Sequence, residues 1–336
     1  MAAVTHEVTP EGDAILVVKN HNAPFAPCPS PSSTKSAAPG ESANAIDNKN
    51  PSQEVRIRVS SAHLKLASPV FKKALSGEWK EAATLKDSGS VEIETSEWDV
   101  DALLLLMRIF HCQLSDLPKK LDIERLAKLL VLVDYYECQS LLGFITEKWP
   151  TCVYSFQDVR QGMIMFWVAW TIEHTTAFSH YASEIIHHAD RPITSLGLPF
   201  PSKIIDELNK RREAILSHNL EIIRRQESDW NNLKFSCIPI CKYVCVGTLK
   251  DFIAENKIFT ADAPYEGFSL RGLRDTLKDL KAPKWREWVD ERQDPCTLRR
   301  IHECKNSQFT DLHAKLFHPV LDKVVLELSE FKTHSD

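Results

Sequence analysis

The sequence predicts an α+β protein, with a small sheet flanked by helices in the N-terminal half and a mainly α-helical extension after it. Three observations carry this. Residues 55–59 alternate strictly, with Val55, Ile57 and Val59 on one face and Arg56, Arg58 and Ser60 on the other, the period of a half-buried strand. Val91 and Ile93 alternate in the same way. From Val100 onward the apolar residues recur at intervals of three and four, which is the helical period.

Each element follows from local signals. After the strand at 55–59 comes a tight passage and then a short helix whose start is marked twice. Ser68 suits the N-cap and Pro69 the first helical position. Val70, Phe71 and Leu75 form its apolar stripe, and Gly77 is placed to end it. Lys86-Asp87-Ser88-Gly89 reads as a turn before the short strand at Val91. Ser96 and Asp99 open a helix on which Val100, Leu103, Leu104, Met107 and Phe110 share a face. Leu105, Leu106 and Ile109 make that helix apolar on most sides, so it is expected to be buried. The next helix starts near Asp122 with Ile123, Leu126, Leu130 and Val133 on one stripe, and Pro150 ends the last helix of this half. Residues 155–190 read as helical, with Phe156, Val159, Met163, Phe166, Trp167 and Trp170. A Pro-containing loop at 191–202 separates them from a long amphipathic helix at 203–228. Residues 232–330 mix a cysteine-rich passage, short helices and a terminal helix holding Leu321, Val324, Val325 and Leu328.

The passage Val59 to Phe71, with Ser68-Pro69-Val70-Phe71, resembles the strand-to-first-helix passage of a BTB (POZ) domain. Gly12-Asp13-Ala14-Ile15-Leu16-Val17-Val18 is similar to that domain's first strand. Ser90-Val91-Glu92-Ile93 followed by Trp98 resembles its third strand and next helix, and Leu126 to Cys138 the helix pair that closes it. Asn22-Ala23-Pro24-Phe25 and Val131 to Tyr136 look most like fungal BTB proteins of unassigned function. The resemblance covers about residues 10–150 and implies a BTB/POZ domain there, followed by a helical region at 151–230 and a mainly helical region at 231–336. Residues 21–52 hold six Pro, six Ser and six Ala and read as a flexible insertion between the first two strands. A hairpin tolerates such an insertion because closure entropy grows slowly with loop length. One departure is specific: many BTB domains carry a histidine and a basic residue where Ser60 and Ser61 stand. That argues against the charged corepressor-binding pocket of the repressor members.

Composition narrows the function classes. A net charge of −5 opposes a general nucleic-acid role, which would need a basic footprint. Lys72-Lys73, Lys119-Lys120, Lys210-Arg211-Arg212 and Arg299-Arg300 read as solvated helix faces. The longest apolar run, from Met163 through Trp170, is far short of the roughly 20 residues of a membrane span. With no secretory leader visible, an intracellular protein of nucleus or cytoplasm is expected. No nucleophile elbow and no phosphate loop occur, so a non-enzymatic role is expected.

Nine cysteines, an odd number, read as thiols or metal ligands rather than a disulfide framework. Cys237, Cys241 and Cys245 stand at intervals of four, and Cys296, His302 and Cys304 follow. The residues alone leave two readings open: buried, inert thiols with a surface histidine, or a structural zinc. Resemblance to fungal BTB chains implies zinc on Cys241, Cys245, His302 and Cys304, past Pro283-Lys284-Trp285, with Cys237 and Cys296 as substitutes. His187-His188, with Glu184 and Asp190, reads as a solvated face, since neighbouring helical residues point apart.

The resemblance implies association: a two-fold homodimer, a cullin ubiquitin-ligase scaffold or another protein partner. Val70, Phe71, Leu75 and Trp79 are the candidate interface. The leading expectation is a non-enzymatic interaction module acting as adaptor or scaffold. The second is a DNA-associated regulator that uses a zinc-bearing C-terminal half.

Overall fold

The computed structural model describes residues 4–28, 54–151, 153, 155–232, 239–259, 262–281, 283–286, 301–303, 312, 316 and 326–332. The architecture is mixed α and β, 58% helical with a small four-stranded sheet, and is compatible with an α+β class. Contacts divide the chain into two units, residues 1–177 with 195–200 and residues 178–194 with 201–336.

In the first unit β1 (His6–Glu7), β2 (Ala14–Lys19), β3 (Val55–Val59) and β4 (Val91–Ser96) form a sheet in the order β1-β3-β2-β4. β2 is central because it is apolar on both faces: Ala14, Leu16, Val17 and Val18 are all buried. It pairs antiparallel with β3, Val18 opposite Val55, and parallel with β4, Ala14 opposite Val91. β1 lies parallel to β3 with His6 opposite Ile57. Two residues carry no alternation, so this strand has no sequence signature. Arg56, expected on a solvated face, is instead buried and paired with Glu92 across the sheet.

The passage after β3 differs from expectation. It is a helix, α1 (Ser61–Ala67), followed directly by α2 (Pro69–Ala74). Ser68 separates them as both C-cap of α1 and N-cap of α2, and its hydroxyl accepts from the Phe71 N–H at 3.2 Å. The expected turn at 86–89 is the end of α3 (Lys80–Ser88), closed by Gly89 in the left-handed region at φ 70°. Then α4 (Val100–Phe110), capped by Asp99, packs on β3 with eight of its residues buried. α5 (Ile123–Tyr135), capped by Asp122, packs on α4, and α6 (Leu142–Lys148) stops before Pro150. α7 (Val159–Thr171) packs on α5 and is buried without a break from Gly162 to Thr171. Each fully buried Leu, Ile, Val, Phe or Met contributes ~1.5–3 kcal/mol, so this helix belongs to the first unit's core rather than to a region starting at 151.

Residues 21–28, expected to be flexible, are tied down. The Asn22 N–H donates to Trp98 O and its side chain accepts from Val100 N, both at 3.0 Å. Arg160 donates to the carbonyls of Phe25 and Ala26. Residues 29–53, the remainder of the expected insertion, lie outside the described residues.

The second unit contains the C-terminal part of α8 (Thr175–His188), α9 (Ser202–Asn232), α10 (Pro239–Glu255) and α11 (Leu270–Leu277). Leu220, Ile223, Trp230, Cys241, Cys245, Leu249, Leu273 and Leu277 form its core. β5 (Lys284–Arg286) and β6 (Ile301–Glu303) pair antiparallel, Trp285 opposite His302. Arg212, expected on a solvated basic face, is 1% exposed. Its guanidinium donates to the carbonyls of Ala189, Pro264, Tyr265 and Phe268 at 2.7–3.0 Å. Leu328 falls in a short 3-10 turn, while Leu321, Val324 and Val325 lie outside the described residues.

Candidate interaction surface

The strand-to-helix corner after β3 is held by side chains distant in sequence. Ser60, the N-cap of α1, makes no side-chain cap. Its N–H instead donates to His111 Nε2 at 2.9 Å. The other ring nitrogen of His111 lies 2.7 Å from Met107 O, so the tautomer that satisfies both bonds carries its proton on Nδ1. The His63 ring stacks on His111 at 4.7 Å between centroids. Burial and the His63 ring hold His111 below the ordinary imidazole range, against the pull of the Met107 carbonyl. The next residue, Ser61, donates through its N–H and its hydroxyl to the two oxygens of Asp13, at 2.6 and 2.7 Å. Burial disfavours the Asp13 carboxylate, but these two bonds outweigh it and the pKa is lowered. The corner is therefore built from neutral serines on an ionised Asp13 and a neutral His111.

The Ser68 hydroxyl donates to Tyr136 O at 2.6 Å while it caps α2. The Phe71 ring stacks on Tyr136 at 4.5 Å, which turns Phe71 inward. Leu75 is also buried, at 4% exposure. Two of the four expected interface residues thus pack inside the chain, because α2 is only six residues long and its apolar stripe is needed for the core. Val70 is half-buried and Trp79, at the start of α3, is 55% exposed. Leu66 on α1 is 87% exposed and escaped the sequence reading. Its signal was present: once 61–67 is a helix, Leu64 and Leu66 point to opposite sides, and only one of them can enter the core. The exposed large apolar side chains of this passage are Leu66 and Trp79, with the half-buried Val70 between them in sequence.

A second feature of this unit is a cleft of about 230 Å³ beside the start of α4, lined by Phe25, Trp98, Asp99, Lys128, Leu132 and Leu198. Lys128 crosses it, 2.8 Å from Asp99 and over the Phe25 ring at 5.7 Å. Tyr135, 4.9 Å from Trp98 edge to face, is exposed beside it.

The expected metal ligands are placed only in part. Cys241 and Cys245 lie one turn apart on α10 and are fully buried in the apolar core of the second unit. His302 is on β6 opposite Trp285. Cys304, Cys237 and Cys296 lie outside the described residues. Among the described residues no three His, Cys, Asp or Glu side chains converge as a metal site. The residues around His187 do not converge on one point either. His188 Nε2 lies 3.6 Å from Glu184, His187 lies 3.5 Å from the Ser183 hydroxyl, and Asp190 pairs with Arg191 at 3.0 Å.

Among the described residues no helix is long and apolar enough to cross a membrane. No family model, curated protein or solved structure matches the chain.

Proposed function

We propose that the chain is a non-enzymatic protein–protein interaction module of the BTB (POZ) kind, self-associating or serving as an adaptor through the surface around Leu66, Val70 and Trp79. The observation that carries this reading is the exposure of Leu66 and Trp79, two large apolar side chains within fourteen residues of one helical passage. Water contact on such groups costs free energy that a partner's apolar surface recovers, and aromatic anchors of this type dominate interface energetics. The strand arrangement supports it further. The residues that resemble the family's first strand lie between their hairpin partner and the strand that resembles the third. The partners are a second copy of the chain or another protein, the cullin scaffold being the one that the resemblance implies. Its place of work is the cytoplasm or nucleus.

Light scattering on the full chain tests the self-associating form. The expected state at about 100 µM is a dimer. Leu66→Ser with Trp79→Ser is expected to weaken it by several orders of magnitude and leave a monomer at that concentration, because each substitution counts twice across a two-fold axis and each anchor is worth ~2 kcal/mol, ~8 kcal/mol together. The circular dichroism spectrum stays unchanged. Leu75→Asp is expected to unfold the first unit instead, since it places a charge in the core. A monomeric wild type at that concentration refutes self-association and leaves the adaptor form, which capture of a cullin by wild type but not by the double variant supports.

A further inference from the structure

The second unit contains a polar cleft of about 460 Å³ that the interaction surface does not use. α11 is sharply two-sided. Leu270, Leu273 and Leu277 enter the core, which turns Arg271, Arg274 and Lys278 toward the cleft at the same helical spacing. The opposite wall is the end of α8, with Ser183, Glu184, His187 and His188. Every lining residue is polar or charged: three permanent cations, the carboxylates of Glu184 and Asp275, two imidazoles and one hydroxyl.

One contact in this wall is unusual. Arg271 Nη1 lies 2.7 Å from His188 Nε2, a contact that requires a neutral imidazole accepting from the guanidinium. The same Nε2 is 3.6 Å from Glu184. His188 therefore has two arrangements. Neutral, it accepts from Arg271. Protonated, it has no lone pair to offer and donates to Glu184, and the Arg271 fork turns into the cleft. Lys278 is 2.7 Å from Asp275, and Arg271 is 3.9 Å from the same carboxylate, so one acidic group is shared by two cations. With His188 protonated and Glu184 committed to it, the positive groups outnumber the negative ones. An oxyanion bearing two charges is the complementary ligand, and the Arg fork matches phosphate oxygens two at a time.

We propose that this cleft binds a phosphate monoester, with proton uptake at His188 releasing Arg271 to the ligand. Burial and the Arg271 charge hold His188 below the ordinary imidazole range, and Glu184 opposes them. A bound dianion favours the imidazolium, so affinity rises as pH falls toward and below ~6.5. His187, Arg274, Asp275 and Lys278 are the other titratable or charged groups facing the cleft from α8 and α11.

Inorganic sulfate is the first probe, since it stays a dianion throughout and any pH effect belongs to the protein. Calorimetric titration of the full chain is expected to give a Kd of about 1 mM or tighter at pH 6, weakening roughly fivefold or more by pH 7.5. Arg271→Gln is expected to weaken binding at least ~10-fold, and His188→Gln to remove the pH dependence while keeping binding. Both side chains reach the surface, and circular dichroism checks that each variant folds. Free phosphoserine and a phosphoserine peptide then identify the source: equal affinity points to a small phosphate ester, tighter peptide binding to a phosphorylated protein. Absence of sulfate binding at about 10 mM, binding indifferent to Arg271→Gln, or a pH dependence that survives His188→Gln overturns the proposal.

Discussion

Replacing Arg212 by Met tests the energetic account of the second unit most directly. The guanidinium is 1% exposed and donates to four backbone carbonyls: Ala189 at the end of α8, and Pro264, Tyr265 and Phe268 in the turn before α11. Phe268 N–H in turn donates to Asp190 O, so the arginine closes a ring of main-chain groups. Bonds from a charged donor are worth ~1.5–3 kcal/mol each, and four at the upper end would come to ~12 kcal/mol, comparable to a typical domain's whole stability. The guanidinium also gives up hydration worth several kcal/mol on burial, and the substitution recovers that. What remains after Arg212→Met is one buried and three partly buried carbonyls without their donor, a net loss of ~3–5 kcal/mol. At a mid-range urea slope of ~2 kcal/mol per M, the midpoint of the second unit falls by ~1.5–2.5 M. Hydrogen exchange of α9 amides assigns the loss to this unit. A destabilisation under ~1 kcal/mol would refute the view that these bonds hold the 262–269 turn to α9.

Three further outcomes are expected. Ser68→Ala removes the α2 cap and the donor to the Tyr136 carbonyl together, and should lower the stability of the first unit by ~2–3 kcal/mol in chemical denaturation; a loss below ~0.5 kcal/mol contradicts the double role. His111 and Asp13 both have lowered pKa values in the folded chain, so the unfolded chain binds more protons in each window. The His111 contribution is complete above ~6.5 and is lost as pH falls from there toward its folded pKa, and the Asp13 contribution fades below ~3.9. Ring-proton NMR placing His111 above 6.5 contradicts this sign. Structural zinc on Cys241, Cys245, His302 and Cys304 is proposed from the resemblance: metal analysis should find about one zinc per chain, reduced by Cys241→Ser or His302→Ala, and a metal-free chain with unchanged stability removes it.

Much of the first unit was legible because its signals are local. Strict alternation marks β3, while Asp99, Asp122 and Ser68 each cap a helix within three residues of their acceptor bond. α1 was not legible, because the groups that satisfy the N–H donors at its start are distant: His111, fifty-one residues from the N-cap Ser60, and Asp13, forty-eight residues from Ser61. Arg56 and Arg212 were read as surface charges for a related reason. A charge can be buried when partners from other elements surround it, here Glu92 for one and four carbonyls for the other, and none of these adjoins it in sequence. The same limit applied to the surface. Val70, Phe71, Leu75 and Trp79 share an apolar character, but the stacking of Phe71 on Tyr136 determines which of them is left for a partner.

The position of β2 between β3 and β4 bears on how the chain folds during synthesis. Its ladder with β3 joins Val18 to Val55, and its ladder with β4 joins Ala14 to Val91. A nascent chain that has emerged only as far as Gly89 therefore holds β2 with one complete row of backbone donors and acceptors unpaired, on a strand that is apolar on both faces. Such a segment adheres to other chains until its last neighbour arrives. A pause once residues 91–96 have emerged from the ribosome leaves time for the second ladder to close, whereas a pause that holds them inside it prolongs the exposed state.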